Sequence, residues 1–299
     1  MVKILELAAE AARIFLQRKE AGRALTVLPD DVFLVSYPRS GNTWTRFLIA
    51  HLMNSHEPAT FANIESRIPE IYLFPDRVLL GVPRPRVLKS HECFDPRYKR
   101  IIHIVRDPRD VAVSHYHYSI KRRTLAENCR IEQYLPRFLA GNVTQTMESY
   151  GCWGDHVRSW LALRGGHNDF LALRYEDMLE NAERELRKVA TFLGMDSNPG
   201  RLSRAVELSS SVRMRKLEKE QSKEWKLTKG TREDCPFIRS ATSGAWKSAL
   251  PRECVLAIES AWGPLMQSLG YELATTGPAH LRKHSTGSRV EIAKPACEL

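Results

Sequence analysis

No apolar run in this chain approaches the ~20 residues that cross a bilayer as a helix, so a membrane span is not expected. The first 17 residues are apolar, but Glu6, Glu10 and Arg13 interrupt them, which predicts an amphipathic helix rather than a signal peptide. The six cysteines (Cys93, Cys129, Cys152, Cys235, Cys254, Cys297) form no C-x-x-C pair; this usage points to reduced thiols, not a disulfide framework, and to a cytoplasmic location. No Cys/His spacing resembles a zinc site, and His115 and His117 are two apart on a predicted helix and do not face each other. No metal is therefore expected. The net charge of +10 points towards an anionic partner, for which nucleic acid, an anionic membrane surface or a phosphorylated cofactor would each qualify, but no long Lys/Arg run suggests a nucleic-acid tail. Repeats and Pro/Gly/Ser linkers are missing too. One domain over residues 1–299 is the expectation, with a helix over 1–28 and a polar tail over 275–299.

The informative stretch is residues 32–44. Val32-Phe33-Leu34-Val35 is a short β-branched run of the buried-strand type. Residues 36–42 form a turn in which Pro38 and Gly41 set the backbone. From Thr43 onward Trp44, Phe47, Leu48, His51 and Leu52 recur at helical spacing. Strand, tight loop and helix together cradle phosphate, because loop N–H groups and the helix N-terminus offer partial positive charge. In the nucleoside-triphosphate loop G-x-x-x-x-G-K-[ST] a lysine reaches the β/γ-phosphates. Here Ser36 stands at the first glycine, Gly41 at the second, Asn42 at the lysine and Thr43 at the hydroxyl position, while the nearest cation is Arg39. The cradle survives without its triphosphate lysine, which suits a single 5′-phosphate or a group attached to one. An ordinary strand–turn–helix corner is the alternative.

Further along, residues 54–85 hold five prolines and scattered aromatics and read as an irregular excursion with short helices. Residues 86–91 predict a strand ending in Lys89 and His91, and 101–105 a second strand. Asp107-Pro108 then predicts an N-cap and first helical position. Residues 121–150 are a basic, polar excursion, helical around 131–140. Helices are expected over 153–163, 180–193, 202–209 and 253–269, a strand over 170–175, and a charged flap over 213–233. Alternating strands and helices predict a parallel sheet covered on both faces, with ligands beyond its carboxyl edge. The loop of residues 36–43, Lys89, His91, Arg106 and Tyr175 all fall at that edge.

Six blocks in order carry a family resemblance: Tyr37-Pro-Arg-Ser-Gly-Asn-Thr-Trp44, Leu88-Lys-Ser-His91, Val105-Arg-Asp-Pro-Arg-Asp-Val-Ala-Val-Ser114, Gly151-Cys-Trp-Gly-Asp-His-Val157, Arg174-Tyr-Glu-Asp-Met178 and Ser243-Gly-Ala-Trp-Lys247. Over residues 30–273 the chain resembles the cytosolic-type sulfotransferases, which move a sulfuryl group from 3′-phosphoadenosine 5′-phosphosulfate (PAPS) to a hydroxyl or amine and release adenosine 3′,5′-bisphosphate (PAP). The resemblance implies a single α/β domain, a central parallel sheet flanked by helices, with a P-loop-like loop of the nucleotide kinase/sulfotransferase type. It implies that Arg39, Ser40, Gly41, Asn42 and Thr43 hold the 5′-phosphosulfate and that Trp44 and Tyr175 contact the adenine. Arg106, Ser114 and Arg239 would bind the 3′-phosphate, and Ser209 would place a hydroxyl near the base. His91 would be the general base and Lys89 the cation on the transferred group, with Arg39 assisting.

Three departures accompany this likeness. Arg39 replaces the loop lysine, the late Arg-Lys-Gly becomes Arg239-Ser240-Ala241, and the dimer motif is not recognisable in residues 247–256. The expected acceptor is a small molecule, lipid or sugar, with no nucleic acid; oligomeric state stays open. Two alternatives remain at this point: a P-loop-type nucleotide kinase, disfavoured by the missing lysine and by the lack of an assignable Mg²⁺ aspartate, and a non-catalytic PAP-binding protein, disfavoured by Lys89 and His91.

Overall fold

A computed structural model describes residues 20–54, 56–143 and 150–274. Residues 1–19 of the expected N-terminal helix, the polar tail from 275 and residues 144–149 of the basic excursion lie outside the described residues; over 20–28 the expected helix is absent, and the chain forms only a 3-10 turn at Gly22–Ala24 before running on to the first strand.

The centre is a four-stranded parallel sheet in the order β2-β1-β3-β4. Its strands are β1 (Val32–Ser36), β2 (Val87–Ser90), β3 (Arg100–Val105) and β4 (Phe170–Arg174). Val32 of β1 aligns with Val87 of β2 and Arg100 of β3, and Val105 of β3 aligns with Arg174 of β4. Every residue of β1 and β2 is buried. That is why β1 reads as a continuous apolar run rather than an alternating one.

Between and after the strands lie α1 (Asn42–Met53), α2 (Ile64–Arg67), α3 (Asp76–Leu80), α4 (Pro108–Lys121), α5 (Ile131–Leu139), α6 (Trp153–Arg164), α7 (Tyr175–Glu180), α8 (Ala182–Leu193), α9 (Pro199–Leu208), α10 (Ser211–Gln221), α11 (Trp246–Ala249) and α12 (Arg252–Ser268). One sheet face packs Val32, Leu34, Ile102 and Ile104 against Phe47 and Leu48 of α1, Val189 of α8 and Leu202 of α9. The other packs Phe33, Val35 and Ile101 against Tyr98 and Trp160. Trp153, Trp262, Phe138 and Val111 join α4, α5, α6 and α12 in a further cluster.

All four strands deliver their carboxyl ends, Ser36, Ser90, Val105 and Arg174, to one edge. β1 is flanked by β2 on one side and β3 on the other, so the crossovers leave in opposite directions and open a crevice above it. The phosphate-type loop sits there.

Two segments differ from the sequence expectation. Residues 54–85 carry Phe61, Ile64, Ile68, Ile71 and Leu79 into the core, and Glu70 bridges to Lys89 as a one-residue extension of the sheet. Within 213–233, α10 replaces the expected flap: Met214 and Trp225 are buried, and the Glu218 carboxylate accepts from the backbone N–H groups of Phe237 and Ile238. Charge density hid the three residues that anchor this stretch.

Candidate active site

Gly41 adopts φ +101°, and a Cβ there would stand 2.4 Å from Tyr175 Cδ2. Only glycine fits under that ring. Arg39 is also left-handed, at φ 69°. The resulting bend aims the start of α1 at the crevice, and no side chain caps that helix. The first-turn N–H groups of Asn42, Thr43 and Trp44 are thus available to an anion. The Thr43 side chain has no hydrogen-bond partner among the described residues, and Ser40 Oγ is buried and unpartnered. Asn42 turns inward: its Nδ2 donates to Ser36 Oγ (3.1 Å) and to the Leu34 carbonyl (3.3 Å), bracing the loop against β1.

Arg39 leaves the loop sideways. Its Nε donates to Ser114 Oγ (3.2 Å) and its Nη2 to the Phe237 carbonyl (2.9 Å). The guanidinium carbon lies 4.7 Å from the Tyr118 ring centroid and 4.4 Å from that of Phe237. Burial pulls its pKa down to about 10, so the group is still a cation at neutral pH.

Arg106, at the end of β3, donates to the carbonyls of Arg39 (3.2 Å) and Thr242 (3.1 Å), and its Nε is buried without a partner. Neither Asp107 nor Asp110 forms a salt bridge with it, because both aspartates are otherwise employed. Asp107 caps α4 and pairs with Arg109, while Asp110 accepts from the N–H groups of Gly244 and Trp246. Arg239 lies close enough that burial, followed by the charge of Arg106, depresses its pKa. Among the described residues neither guanidinium has a carboxylate ion-pair partner. Two neighbouring guanidiniums without a direct carboxylate pair, tempered only by the more distant Asp110, make a site for a polyanion.

Tyr175 carries Arg106 over its face, with the guanidinium carbon 4.3 Å from the ring centroid, and meets Trp44 edge-on at 5.9 Å. The Trp44 indole N–H donates to the Ser209 carbonyl (3.0 Å), and the Ser209 hydroxyl bonds His51 Nδ1 (2.9 Å). Ser209 therefore stands behind Trp44, its hydroxyl engaged on the core side.

His91 follows β2. Its Nδ1 lies 2.7 Å from the Ser36 carbonyl. A carbonyl only accepts, so Nδ1 carries the proton and Nε2 keeps its lone pair. Tyr72 and Tyr150 flank the ring, with centroids 6.4 and 5.6 Å away, and Tyr72 Oη accepts the His91 backbone N–H (3.0 Å). Burial, then the charge of Lys89, holds the imidazole pKa well below its ordinary value despite the opposing bond to Ser36. Lys89 Nζ is 2.5 Å from Glu70 Oε2.

The sheet edge thus gathers the loop, Arg39, Ser114, Arg106, Arg239, Tyr175 and Trp44 on one side, and His91 with Lys89 on the other. Sequence reasoning missed Glu70, Tyr72, Tyr150, Tyr118 and Phe237. Glu70 and Tyr72 come from the irregular 54–85 stretch and Tyr150 from the basic excursion, whereas Tyr118 lies on α4 and Phe237 beyond α10.

The family profile described as "Sulfotransferase domain" matches residues 29–270. This chain belongs to the sulfotransferase family. Mouse "Sulfotransferase 1 family member D1" is 30% identical over 235 residues, covering 74% of this chain and 78% of that one. The guinea pig (Cavia porcellus) "3-beta-hydroxysteroid sulfotransferase" is 29% identical over 240 residues, covering 77% and 81%. Among solved structures, mouse sulfotransferase SULT7A1 complexed with PAP superposes with TM-score 0.66 at 24% identity, covering 83% of this chain and 87% of that one. Retinol dehydratase in complex with androsterone and PAP gives TM-score 0.69 at 21% identity, covering 88% and 85%. These likenesses carry the fold: one α/β unit with a parallel sheet and a P-loop-like loop. The kinase alternative is not favoured, and neither is a non-catalytic role. No helix among the described residues is long and apolar enough to cross a membrane, and no group of three metal-ligating side chains occurs among them.

Proposed function

We propose that this sulfotransferase transfers a sulfuryl group from PAPS to a hydroxyl, or an amine, of a small-molecule acceptor, with His91 as general base. The observation that carries this is the His91 imidazole. It is buried and neutral, its tautomer is set by the Ser36 carbonyl, and its Nε2 is left to accept a proton at the edge where the anion cradle lies.

The residues present fit the donor. The uncapped start of α1 and the Thr43 hydroxyl suit a 5′-phosphosulfate. The unpaired Arg106 and Arg239, with Ser114, suit a 3′-phosphate, and the Trp44–Tyr175 pair gives the adenine an aromatic wall. When bound, PAPS supplies the sulfuryl group and a phosphate leaving group. His91 Nε2 takes the acceptor's proton as the acceptor oxygen bonds to sulfur, and the sulfur–oxygen bond to the 5′-phosphate breaks with its electron pair going to that phosphate. Arg39 and Lys89 provide fixed positive charge where negative charge accumulates. Arg39 also joins the two halves of the donor site through Ser114.

For the acceptor, Tyr72 and Tyr150 beside His91 favour a molecule with a flat apolar body next to its reacting group. Hydroxysteroids, the named substrates of guinea pig relatives, have that shape. The test is incubation with ³⁵S-labelled PAPS and a panel of a phenol, a 3-hydroxysteroid and a primary amine. Label on at least one acceptor is expected. No label on any, together with no slow release of sulfate from PAPS, would overturn the assignment.

A further inference from the structure

Glu70 is not used by the mechanism above, yet it is built into its edge. Residues 69–71 run beside β2: the Lys89 N–H donates to the Pro69 carbonyl (2.9 Å), the Ile71 N–H donates to the Lys89 carbonyl (3.2 Å), and Glu70 is the bridge partner of Lys89. This pairing sets Glu70 Oε2 2.5 Å from Lys89 Nζ, with both side chains buried. A second pair continues the row. The Glu70 N–H donates to Glu65 Oε2 (3.0 Å), which stands 2.9 Å from Arg46 Nη2. Glu65 is itself held by the Trp225 indole N–H (3.1 Å), and Arg46 by the Ile68 carbonyl (3.0 Å from Nε). Lys89–Glu70 and Arg46–Glu65 are therefore two opposite-charge pairs, joined through the Glu70 N–H, in one largely buried row that starts two residues before His91.

We propose that Glu70 is a positioning residue for sulfuryl transfer: it holds Lys89 as an ammonium at a fixed place beside His91. An amine withdrawn from water gives up its proton unless a counter-charge meets it. Here the sheet bridge fixes both backbones, so the carboxylate meets the amine without mobile loops. The proposal rests on the reading of Lys89 as a cation of the transfer.

Its consequence is an upper pH limit. The charged groups acting on Lys89 are Glu70 and Glu65, which favour its proton, and Arg46, which opposes it; His91 is neutral in this range and adds no charge. Burial acts most strongly, downward. Removing Glu70 leaves that downward pull with less to oppose it. Burial pushes the neighbouring Tyr72 well above its ordinary range and Cys93 up to about 11, so both titrate above a Lys89 limb lowered from the ordinary lysine value.

The experiment compares pH profiles of kcat/KM, with PAPS and whichever panel acceptor the wild type labels, for wild type, E70Q, E70D, K89R and the double variant K89R/E70Q. PAP binding checks that each is folded. In E70Q the alkaline limb moves down by at least about one pH unit, roughly tenfold in rate on that limb. E70D moves it less, and serves alone if E70Q does not fold. Arginine keeps its proton, so K89R shows no such limb and E70Q adds none in that background. An E70Q limb that coincides with the wild type's, or an equal E70Q effect in the K89R background, overturns the proposal. If the wild type labels no acceptor, the transfer reading has failed instead. Glu70 is then judged by the ¹³Cε NMR titration of Lys89 in the PAP-bound protein: a downward move in E70Q supports it, and an unchanged titration overturns it.

Discussion

Replacing Gly41 by alanine tests whether the loop and the donor site are one mechanical unit. The new Cβ would sit 2.4 Å from Tyr175 Cδ2 and 2.8 Å from Cε2. The backbone angle of +101° adds a left-handed penalty of about 1–2 kcal/mol. Tyr175 is poorly placed to yield, because Arg106 lies 4.3 Å over its face and Trp44 meets its edge. Prising the ring off Arg106 forfeits a cation–π contact worth about 0.5–2 kcal/mol. Together these give a loss of about 1.5–4 kcal/mol in stability. PAP affinity falls by about tenfold or more if even the lower figure is expressed at the site. Urea unfolding and calorimetric PAP titration of G41A, Y175A and the double variant separate the two terms. In the Y175A background the clash disappears and only the backbone penalty remains, so the two substitutions couple by about 0.5–2 kcal/mol. A G41A protein as stable as wild type and binding PAP within about twofold of it, or a strictly additive double variant, would refute the reasoning.

Three further predictions follow from the same coordinates. Arg106→Ala or Arg239→Ala weakens PAP by about 1.5–3 kcal/mol, the range of a hydrogen bond to a charged group, but leaves adenosine 5′-phosphate nearly unchanged; equal losses for both nucleotides would misplace the 3′-phosphate. The acid limb of kcat/KM lies below the ordinary imidazole value of about 6.5, because burial keeps His91 neutral and so competent as a base to lower pH; a limb at or above that value contradicts the His91 environment. Buried histidines also set acid stability. Burial lowers His51 to about 4, His115 and His156 to about 3, and holds His91 and His103 well below the ordinary value. The unfolded chain then binds more protons below about pH 6.5, so chemical-denaturation stability drops as pH falls through that point; a flat profile from pH 7 to 5 would count against it.

The strands and the loop were legible in the sequence because both are local patterns. Two-sided burial forces an unbroken apolar run, Val32 to Val35, in β1, and a phosphate cradle needs glycine at one backbone angle. Asp107 before Pro108 was legible for the same reason, and its carboxylate accepts the Arg109 N–H at 2.9 Å. Asn42 shows the limit. Its position marks the missing lysine, but its role as a brace to Ser36 and Leu34 depends on how the loop folds back. Ser209 reads as a hydroxyl near the base, whereas its carbonyl holds Trp44 and its hydroxyl meets His51. Arg39 stood out in the sequence as the cation inside the loop, yet its Tyr118–Phe237 sandwich draws on chain nearly 200 residues away. The Lys89–Glu70 pair was hidden because residues 54–85 lack any period, and only the sheet bridge brings Glu70 to β2.

The most direct test of the account is the rate of ³⁵S transfer from PAPS in His91→Ala, measured beside the PAP dissociation constant. The account predicts that transfer falls about 10²-fold or more while PAP binding stays near the wild-type value, since His91 acts on the acceptor's proton and not on the nucleotide. Undiminished transfer by His91→Ala would contradict it.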